Sequence, residues 1–505
     1  MKTYINKIKD FAGQEVTLEG WVANKREGKG IAFIILRDGT GFLQCVVSQQ
    51  SVSSESFEAA GKLTLESSLA ITGKIVKDEK QEGGFELQAT SVKIYSIAEE
   101  YPIAKKEHGV EFLMDQRHLW LRSRRQWAIM RVRNRLIHSI HRFFQDRGFM
   151  HMDAPIFTEN ASEGTSTLFE TDFYGQPAYL SQSGQLYGEA MAFAQGLIYT
   201  FGPTFRAEKS KTRRHLSEFW MMEPEMCFYD NDKNMDLIEE LLRYLIQDVL
   251  DNCRTELETI ERDISKLEKA NQKFTRLTYD EAVRILKGEQ KVNGQISYEV
   301  LENDLKQIYE QIAAAKKEVE EREAKVSSGT LKKGEANFNL NAIGKLKASI
   351  KDMEEKAENI PQWIHSAKNF QYGNDFGGSD ETALTRLFES PIMVYNWPYE
   401  IKAFYMKRDE TGKFAKGVDV LAPEGYGEIV GGGERETNLD FLVSQINTHK
   451  LPMEAFEWYL DLRRYGSVPH AGFGLGLERF VAYTCGLHHV RETIPFPRMY
   501  GRLSP

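Results

Sequence analysis

To about Ile97 the chain alternates hydrophobic and polar residues in short runs broken by turn residues. Side chains on a strand point alternately to opposite faces, so this pattern predicts strands over Val16–Val22, Ala32–Arg37, Phe42–Ser48, Leu69–Val76 and Phe85–Tyr95. Gly28–Gly30 and Asp38-Gly39 supply turns, and a helix is expected at Ser54–Leu63. The period changes at Trp127. Ile129, Val132, Leu136, Ile140 and Phe143 recur every three or four residues, as on one face of a helix, and Gly148 ends the run. Phe149–Pro155 then reads as extended. Strands are expected at Ala178–Leu180, Leu197–Thr200 and Phe219–Cys227, and helices from Asn234 to about Asp251 and at Thr278–Leu286.

Five short strands with one intervening helix make up an OB-type barrel, expected over residues 1–100. Residues 101–125 form a charged linker containing Pro102, and residues 126–505 form a second domain, so the fold class is α+β. Within it, residues 288–368 differ in composition. They are rich in Ala, Lys and Glu, with opposite charges near helical spacing, as at Glu310 with Lys317 and Glu354 with Lys356. Val326–Asn337, holding Gly329 and Gly334, reads as the turn of an inserted helical hairpin, taken as a solvated spacer.

The 65 Lys+Arg are outnumbered by 74 Asp+Glu, which argues against indiscriminate binding of polyanions such as DNA and leaves room for a local basic face. No apolar run approaches the roughly 18 residues of a membrane span. The N-terminus has no apolar signal core, so a cytoplasmic protein is expected. Cys45, Cys227, Cys253 and Cys485 lie far apart with no CxxC, which excludes a zinc finger and a disulfide scaffold.

Every Gly-Lys pair lacks the following Ser or Thr of a phosphate-binding P-loop, and "GFGLG" is not followed by a βαβ unit. Thr200–Met226 is more informative. Its apolar ends flank Arg206, Lys209, Lys211, Arg213, Arg214 and His215, a hairpin loop suited to clamping a polyphosphate. Glu208 is expected on the same strand face as Arg206, and Phe219 offers a ring for stacking a base. Gly472, Gly474 and Gly476 clear side chains from alternate positions before Arg479. Asp419 and Glu428 bracket a loop and present hard oxygen donors suited to Mg²⁺.

In this order the segments resemble the three signature motifs of the class II aminoacyl-tRNA synthetases. The barrel narrows the resemblance to the subclass of aspartyl, asparaginyl and lysyl enzymes. "FGPTFRAEKSKTRRHLSEFWMMEPEM" and "RRYGSVPHAGFGLGLERFVAY" are most similar to the asparaginyl branch. The resemblance implies an antiparallel catalytic sheet and a homodimer formed through the helix around Trp127–Phe144. It implies ATP-driven activation of L-asparagine and transfer to tRNA(Asn). It makes Arg206, Arg479 and Glu428 catalytic and Mg²⁺ the ion of Asp419 and Glu428, with Gly431 standing where aspartyl relatives have a Ser ligand. ATP is expected to meet Arg206, Glu208, Arg214, His215, Leu216, Phe219, Glu428, Gly476, Leu477, Glu478 and Arg479.

For the amino acid, the resemblance points to Glu163, Gln185, Gly188, Glu189, Arg206 and Arg435. Aspartyl relatives carry a Lys where this chain has Gly188. Losing that cation and adding Glu189 disfavours a second carboxylate, whereas an amide offers an acceptor to Arg435 and donors to Glu189. Arg26, Phe33 and Gln44 match the anticodon-binding set of the family, with an unpaired base stacked on Phe33. The alternatives are an aspartyl enzyme, discriminating or non-discriminating, a tRNA-free asparagine-forming ligase, and a nonenzymatic nucleic-acid-binding module built on the barrel. Gly188, the presence of the barrel, and the set Arg206, Glu428 and Arg479 speak respectively against these.

Overall fold

The computed structural model describes residues 1–505 except 104–107, 160–166 and 211, and the side chains of residues 82 and 333. The chain divides into two compact units, Met1–Leu113 and Met114–Pro505.

In the first unit β1 (Glu15–Gly28), β2 (Ile31–Arg37), β3 (Phe42–Ser48), β4 (Ser68–Lys77) and β5 (Phe85–Ser96) close a barrel in the order β1-β2-β3-β5-β4. Alternate residues fill it. Val16 and Leu18, Ala32, Ile34 and Leu36, and Leu43, Cys45 and Val47 share one hydrophobic core. β1 runs past Val22, where the alternation breaks, because the register with β2 shifts between Val22 and Asn24. The extra residue of a bulge reverses the phase of the pattern without ending the strand.

The second unit is built on an eight-stranded sheet. Its strands are β6 (Met150–His151), β10 (Leu197–Phe205), β11 (Glu218–Cys227), β12 (Thr275–Thr278), β13 (Ile392–Pro398), β14 (Phe414–Ala422), β15 (Gly427–Glu434) and β16 (His470–Gly476). The order is β12-β13-β14-β15-β16-β11-β10-β6, antiparallel except for the pairs β6–β10 and β12–β13. β7 (Phe157–Thr158), β8 (Glu170–Phe173) and β9 (Gln176–Leu180) form a separate small sheet. The apolar face of the Arg124–Gln145 helix, from Ile129 to Phe143, packs into a core shared with Met222, Leu475 and Phe480. Arg117 and Trp120 are buried in this unit, and Arg117 donates from Nε to the Pro495 carbonyl at 2.8 Å.

Helices Ser297–Ser327 and Lys333–Asn369 run side by side, joined by residues 328–332. Their charges pair across the hairpin, as in Lys316–Glu354 (2.7 Å), Lys347–Glu323 (2.8 Å) and Lys368–Glu302 (3.0 Å). One pair within a helix is also present, Arg322 with Glu318 four residues before it at 2.7 Å, but the expected examples Glu310 with Lys317 and Glu354 with Lys356 are not the pairs that form. Residues two or seven apart are not the three- or four-residue neighbours that meet on a helix surface. Between the helices an apolar seam, including Ile308, Ile312, Ile350 and Ile360, is continuous with Leu384 and Trp397 of the body. The hairpin therefore shares a core with the sheet's β13 side and is more than a solvated spacer.

Candidate active site

A cavity of about 700 Å³ opens on the sheet between β10–β11 and β14–β16. Arg206, Glu208, Arg214, His215, Leu216 and Phe219 line one end. β10 stops at Phe205, so Arg206 and Glu208 leave the sheet and do not share a strand face. The backbone N–H of Arg206 still donates to the Ser217 carbonyl at 3.0 Å, which holds the base of the loop closed. The Arg206 guanidinium lies 5.4 Å from the centre of the Phe219 ring.

Arg214 donates to Glu381 at 2.6 Å, to Thr382 Oγ1 at 3.1 Å and to the Gly425 carbonyl. From the neighbouring Arg213, ion pairing reaches Glu355 on the inserted hairpin. Burial, with Arg479 adding to it, pushes the His215 imidazole below its usual range and favours its neutral form.

Arg479 follows β16 on the Leu477–Cys485 helix and donates from Nη1 to the Glu428 carbonyl at 2.9 Å. Gly476, Glu478 and Arg479 line the cavity, but Leu477 does not. The turn of the helix sends the Leu477 side chain into the main core. Glu478 is buried, accepts from the Trp220 N–H at 2.9 Å and pairs with Arg133 at 2.7 Å.

Asp419 on β14 faces Gly431 on β15 in register. A Cβ on residue 431 would lie 2.8 Å from Glu428 Oε1 and 3.5 Å from Asp419 Oδ1. Glycine thus clears the space into which both carboxylates point, and a serine there would require the Glu428 carboxylate to shift. Lys402 Nζ holds Asp419 Oδ2 at 2.6 Å. An oxygen of each carboxylate still faces the gap, a hard donor set that fits Mg²⁺.

At the other end, Gln185 begins the Gln185–Gln195 helix and lines the cavity together with Arg435 and Glu225. Arg435 grips Glu225 at 2.5 and 3.3 Å, with both side chains almost fully enclosed. Burial pushes the Glu225 carboxyl up to about 7, with Arg435 opposing and Glu189 adding to the rise. Two glycines make room for it. A Cβ on Gly472 would fall 2.2 Å from the Glu225 carboxylate, and one on Gly188 would fall 3.3 Å from its Cγ. The missing side chain at 188 and the carboxylate in the pocket are therefore one device.

Gly188 and Glu189 themselves are not among the lining residues. Glu189 is turned away and wholly buried, paired with Arg463 at 2.8 Å and bonded to Tyr459, His470 and Gln185. It does not face the pocket as expected, because its side chain is directed to Arg463, Tyr459 and His470 behind the cavity wall. Glu225 was overlooked by sequence reasoning. Its signal was the alternation Met221, Glu223, Glu225, which puts two acids on one face of an apolar strand. Glu163 and Lys211 lie outside the described residues.

In the barrel, Arg26 pairs across from Phe33 and lies 5.5 Å from its ring centre. Arg26 Nη2 donates to Gln44 Oε1 at 3.3 Å. Phe33 is half-exposed and outside the barrel core, because Ala32, Ile34 and Leu36 take the inward positions.

Residues 109–500 match the family of class II tRNA synthetases (D, K and N), and residues 16–95 match an OB-fold nucleic acid binding domain. An asparagine--tRNA ligase of Sorangium cellulosum is 48% identical over 495 residues, covering 98% of this chain and 96% of that protein. One of Desulforamulus reducens is 46% identical, covering 100% and 99%. Among solved structures, the asparaginyl-tRNA synthetase of Pyrococcus horikoshii complexed with asparaginyl-adenylate superposes with a TM-score of 0.81 at 34% identity, over the full length of both chains.

Proposed function

This chain belongs to the class II tRNA synthetases (D, K and N), and we propose that it is an asparagine--tRNA ligase. It activates L-asparagine with ATP and passes the asparaginyl group to the 3′ end of tRNA(Asn). The observation that carries the reading is the enclosed pair Arg435–Glu225 at one end of a cavity whose other end holds Arg206, Arg214 and Arg479. A carboxamide offers its oxygen to Arg435 and its NH₂ to Glu225, and both groups keep spare hydrogen-bonding positions for it. An aspartate side chain would set a second carboxylate against Glu225, a like-charge contact in an enclosed site. The near full-length likeness to asparagine--tRNA ligases supports the same choice.

In the first step an oxygen of the asparagine carboxylate attacks the α-phosphorus of ATP, and the bond to the bridging oxygen breaks to release pyrophosphate. The carboxylate is already ionised at pH 7, so no general base is needed. Arg206 meets the charge that grows on the phosphoryl oxygens, while Arg479 and Arg214 hold the departing phosphates and Phe219 stacks on adenine. Asp419 and Glu428 are the residues to hold Mg²⁺, which when bound offsets the charge of the triphosphate. In the second step a ribose hydroxyl of the tRNA attacks the activated carbonyl and AMP leaves.

The barrel is assigned to the anticodon, with a base stacked on Phe33 between Arg26 and Gln44, worth about 1–3 kcal/mol. A homodimer is assigned through the Arg124–Gln145 helix. Exposed Phe157 on β7, Phe173 on β8 and Tyr174 in the turn from β8 to β9 support it. A cytoplasmic setting accords with four buried cysteines left as thiols.

ATP–pyrophosphate exchange tests the reading. Exchange is expected with asparagine and not with aspartate. Exchange with aspartate alone would overturn the substrate, and none with either would overturn the enzyme.

A further inference from the structure

One layer behind the cavity wall lies a polar cluster sealed from solvent. At its centre is Glu189, with no exposed side-chain surface. Tyr459 donates its hydroxyl to both carboxylate oxygens at 2.9 and 2.8 Å, and Arg463 Nη2 donates to Oε2 at 2.8 Å. His470 Nε2 lies 3.0 Å from the same oxygen. Burial alone would raise this carboxyl. Arg463, the hydrogen bond from His470 and the charge of Arg435 outweigh it and hold the group ionised.

Two of the connections lead out to the cavity. Gln185 Nε2 donates to Glu189 Oε1 at 3.1 Å. With its NH₂ directed backwards, the Gln185 amide has its carbonyl oxygen left for the cavity, the end suited to an ammonium group. The second connection runs through the backbone beside Arg435. Arg463 Nε donates to the carbonyl of Glu436, and the N–H of Arg435 donates to the carbonyl of His470, each at 2.9 Å. Both chain segments that fix the root of Arg435 are thus fastened to partners of Glu189. Charge points the same way. Glu189 with Arg463 and Glu225 with Arg435 form two balanced pairs, and loss of Glu189 leaves the Arg463 cation buried without a counter-ion.

We propose that Glu189 is a positioning residue: through Gln185 and Arg463 it sets the orientation of two side chains that hold the amino-acid substrate, without touching that substrate. The proposal rests on the reading of this end of the cavity as the amino-acid pocket.

The test is ATP–pyrophosphate exchange by the full chain, with KM for the amino acid, KM for ATP and kcat measured separately. Glu189→Gln keeps the shape and removes the charge. It is expected to raise the amino-acid KM by about 10- to 100-fold, the usual effect of losing a charged hydrogen bond, with the ATP KM within about twofold. Tyr459→Phe removes one hydroxyl and keeps every charge, and is expected to raise the same KM by about threefold. The double variant Glu189→Leu/Arg463→Met removes the pair together, a change that buried pairs tolerate in stability. It should unfold near the wild-type temperature yet keep the raised amino-acid KM. A folded variant of this set with an unchanged amino-acid KM, or with the ATP KM raised equally, overturns the proposal. Running asparagine and aspartate side by side keeps the two ideas apart. If wild type takes aspartate, the substrate choice fails, and the Glu189 effect is read on the aspartate KM instead.

Discussion

The two ends of the cavity solve different electrostatic problems with the same residue types. At the phosphate end the arginines stand partly open, with 24% of the Arg214 side chain and 28% of Arg479 exposed. At the amino-acid end Arg435 and Glu225 are 3% and 1% exposed, and Arg463 and Glu189 not at all. A polyphosphate brings several charges and must also leave, so solvated cations on loops and helix starts suffice. Telling an amide from a carboxylate is a choice between groups of nearly equal shape. Such a choice is sharp only where water cannot screen a wrong charge, and there every ion needs a fixed partner.

The largest expected effect tests the open end. Arg206→Ala is predicted to lower the exchange rate by about 100- to 1000-fold, the scale of removing one donor aimed at transition-state charge. The fall should appear in kcat, with the asparagine-to-aspartate preference kept. A loss of preference on the same scale would mean that the two ends are not separable.

The enclosed end comes next. Glu225→Gln replaces the acceptor with an amide of the same size and leaves Arg435 without its counter-charge. The kcat/KM for asparagine is predicted to fall by about 10- to 100-fold, since each factor of ten is about 1.4 kcal/mol and breaking a buried pair costs more than that. The preference over aspartate should shrink with it. Competition between the two amino acids in one exchange reaction measures this. An unchanged ratio would remove Glu225 from the recognition of the side chain.

The open end was the more legible in the sequence, and the reason is physical. Arg206, Glu208, Arg214, His215 and Phe219 come from one hairpin, and Gly476 to Arg479 from one strand–helix junction. Local order along the chain therefore carries them. The barrel was legible for the same reason, as alternation reports which residues face inward, except where the bulge after Val22 resets its phase. The enclosed end is made by pairs distant in sequence, Glu225 with Arg435 and Glu189 with Arg463. Local spacing does not say which acid meets which base. Gly188 reads in the sequence as a missing cation, and the structure shows that the space it clears adjoins Glu225 on a strand. Likewise the space that Gly472 clears accommodates that same carboxylate. The insertion's two helices were visible in composition, and their seam with Trp397 was not, because it depends on a strand about sixty residues beyond the hairpin's turn.

The smallest expected effect is a pH dependence of the preference between the two amino acids. Burial, against the pull of Arg435, raises the Glu225 carboxyl to about 7, so its protonated fraction grows as pH falls through neutrality. Protonation removes the charge that strengthens the hydrogen bond from the carboxamide NH₂ and that repels an aspartate carboxylate, leaving only a neutral carbonyl oxygen as acceptor. The sign is therefore fixed: the asparagine-to-aspartate ratio of kcat/KM should fall on going from pH 8 to pH 6.5, by about threefold to tenfold for one site titrating near the middle of that interval. At the open end arginines do not titrate there and His215 is held below its usual range, while burial, against the pull of Lys402, pushes the Asp419 carboxyl up to about 7 as well. Its titration is expected to change the rate with both amino acids alike and to leave the ratio between them to Glu225. Glu225→Gln supplies the control. Its ratio should be flat with pH, because the only group assigned to the change is gone. A wild-type ratio that is equally flat, or a variant ratio that still falls, would show that the discrimination does not pass through the charge on this carboxylate.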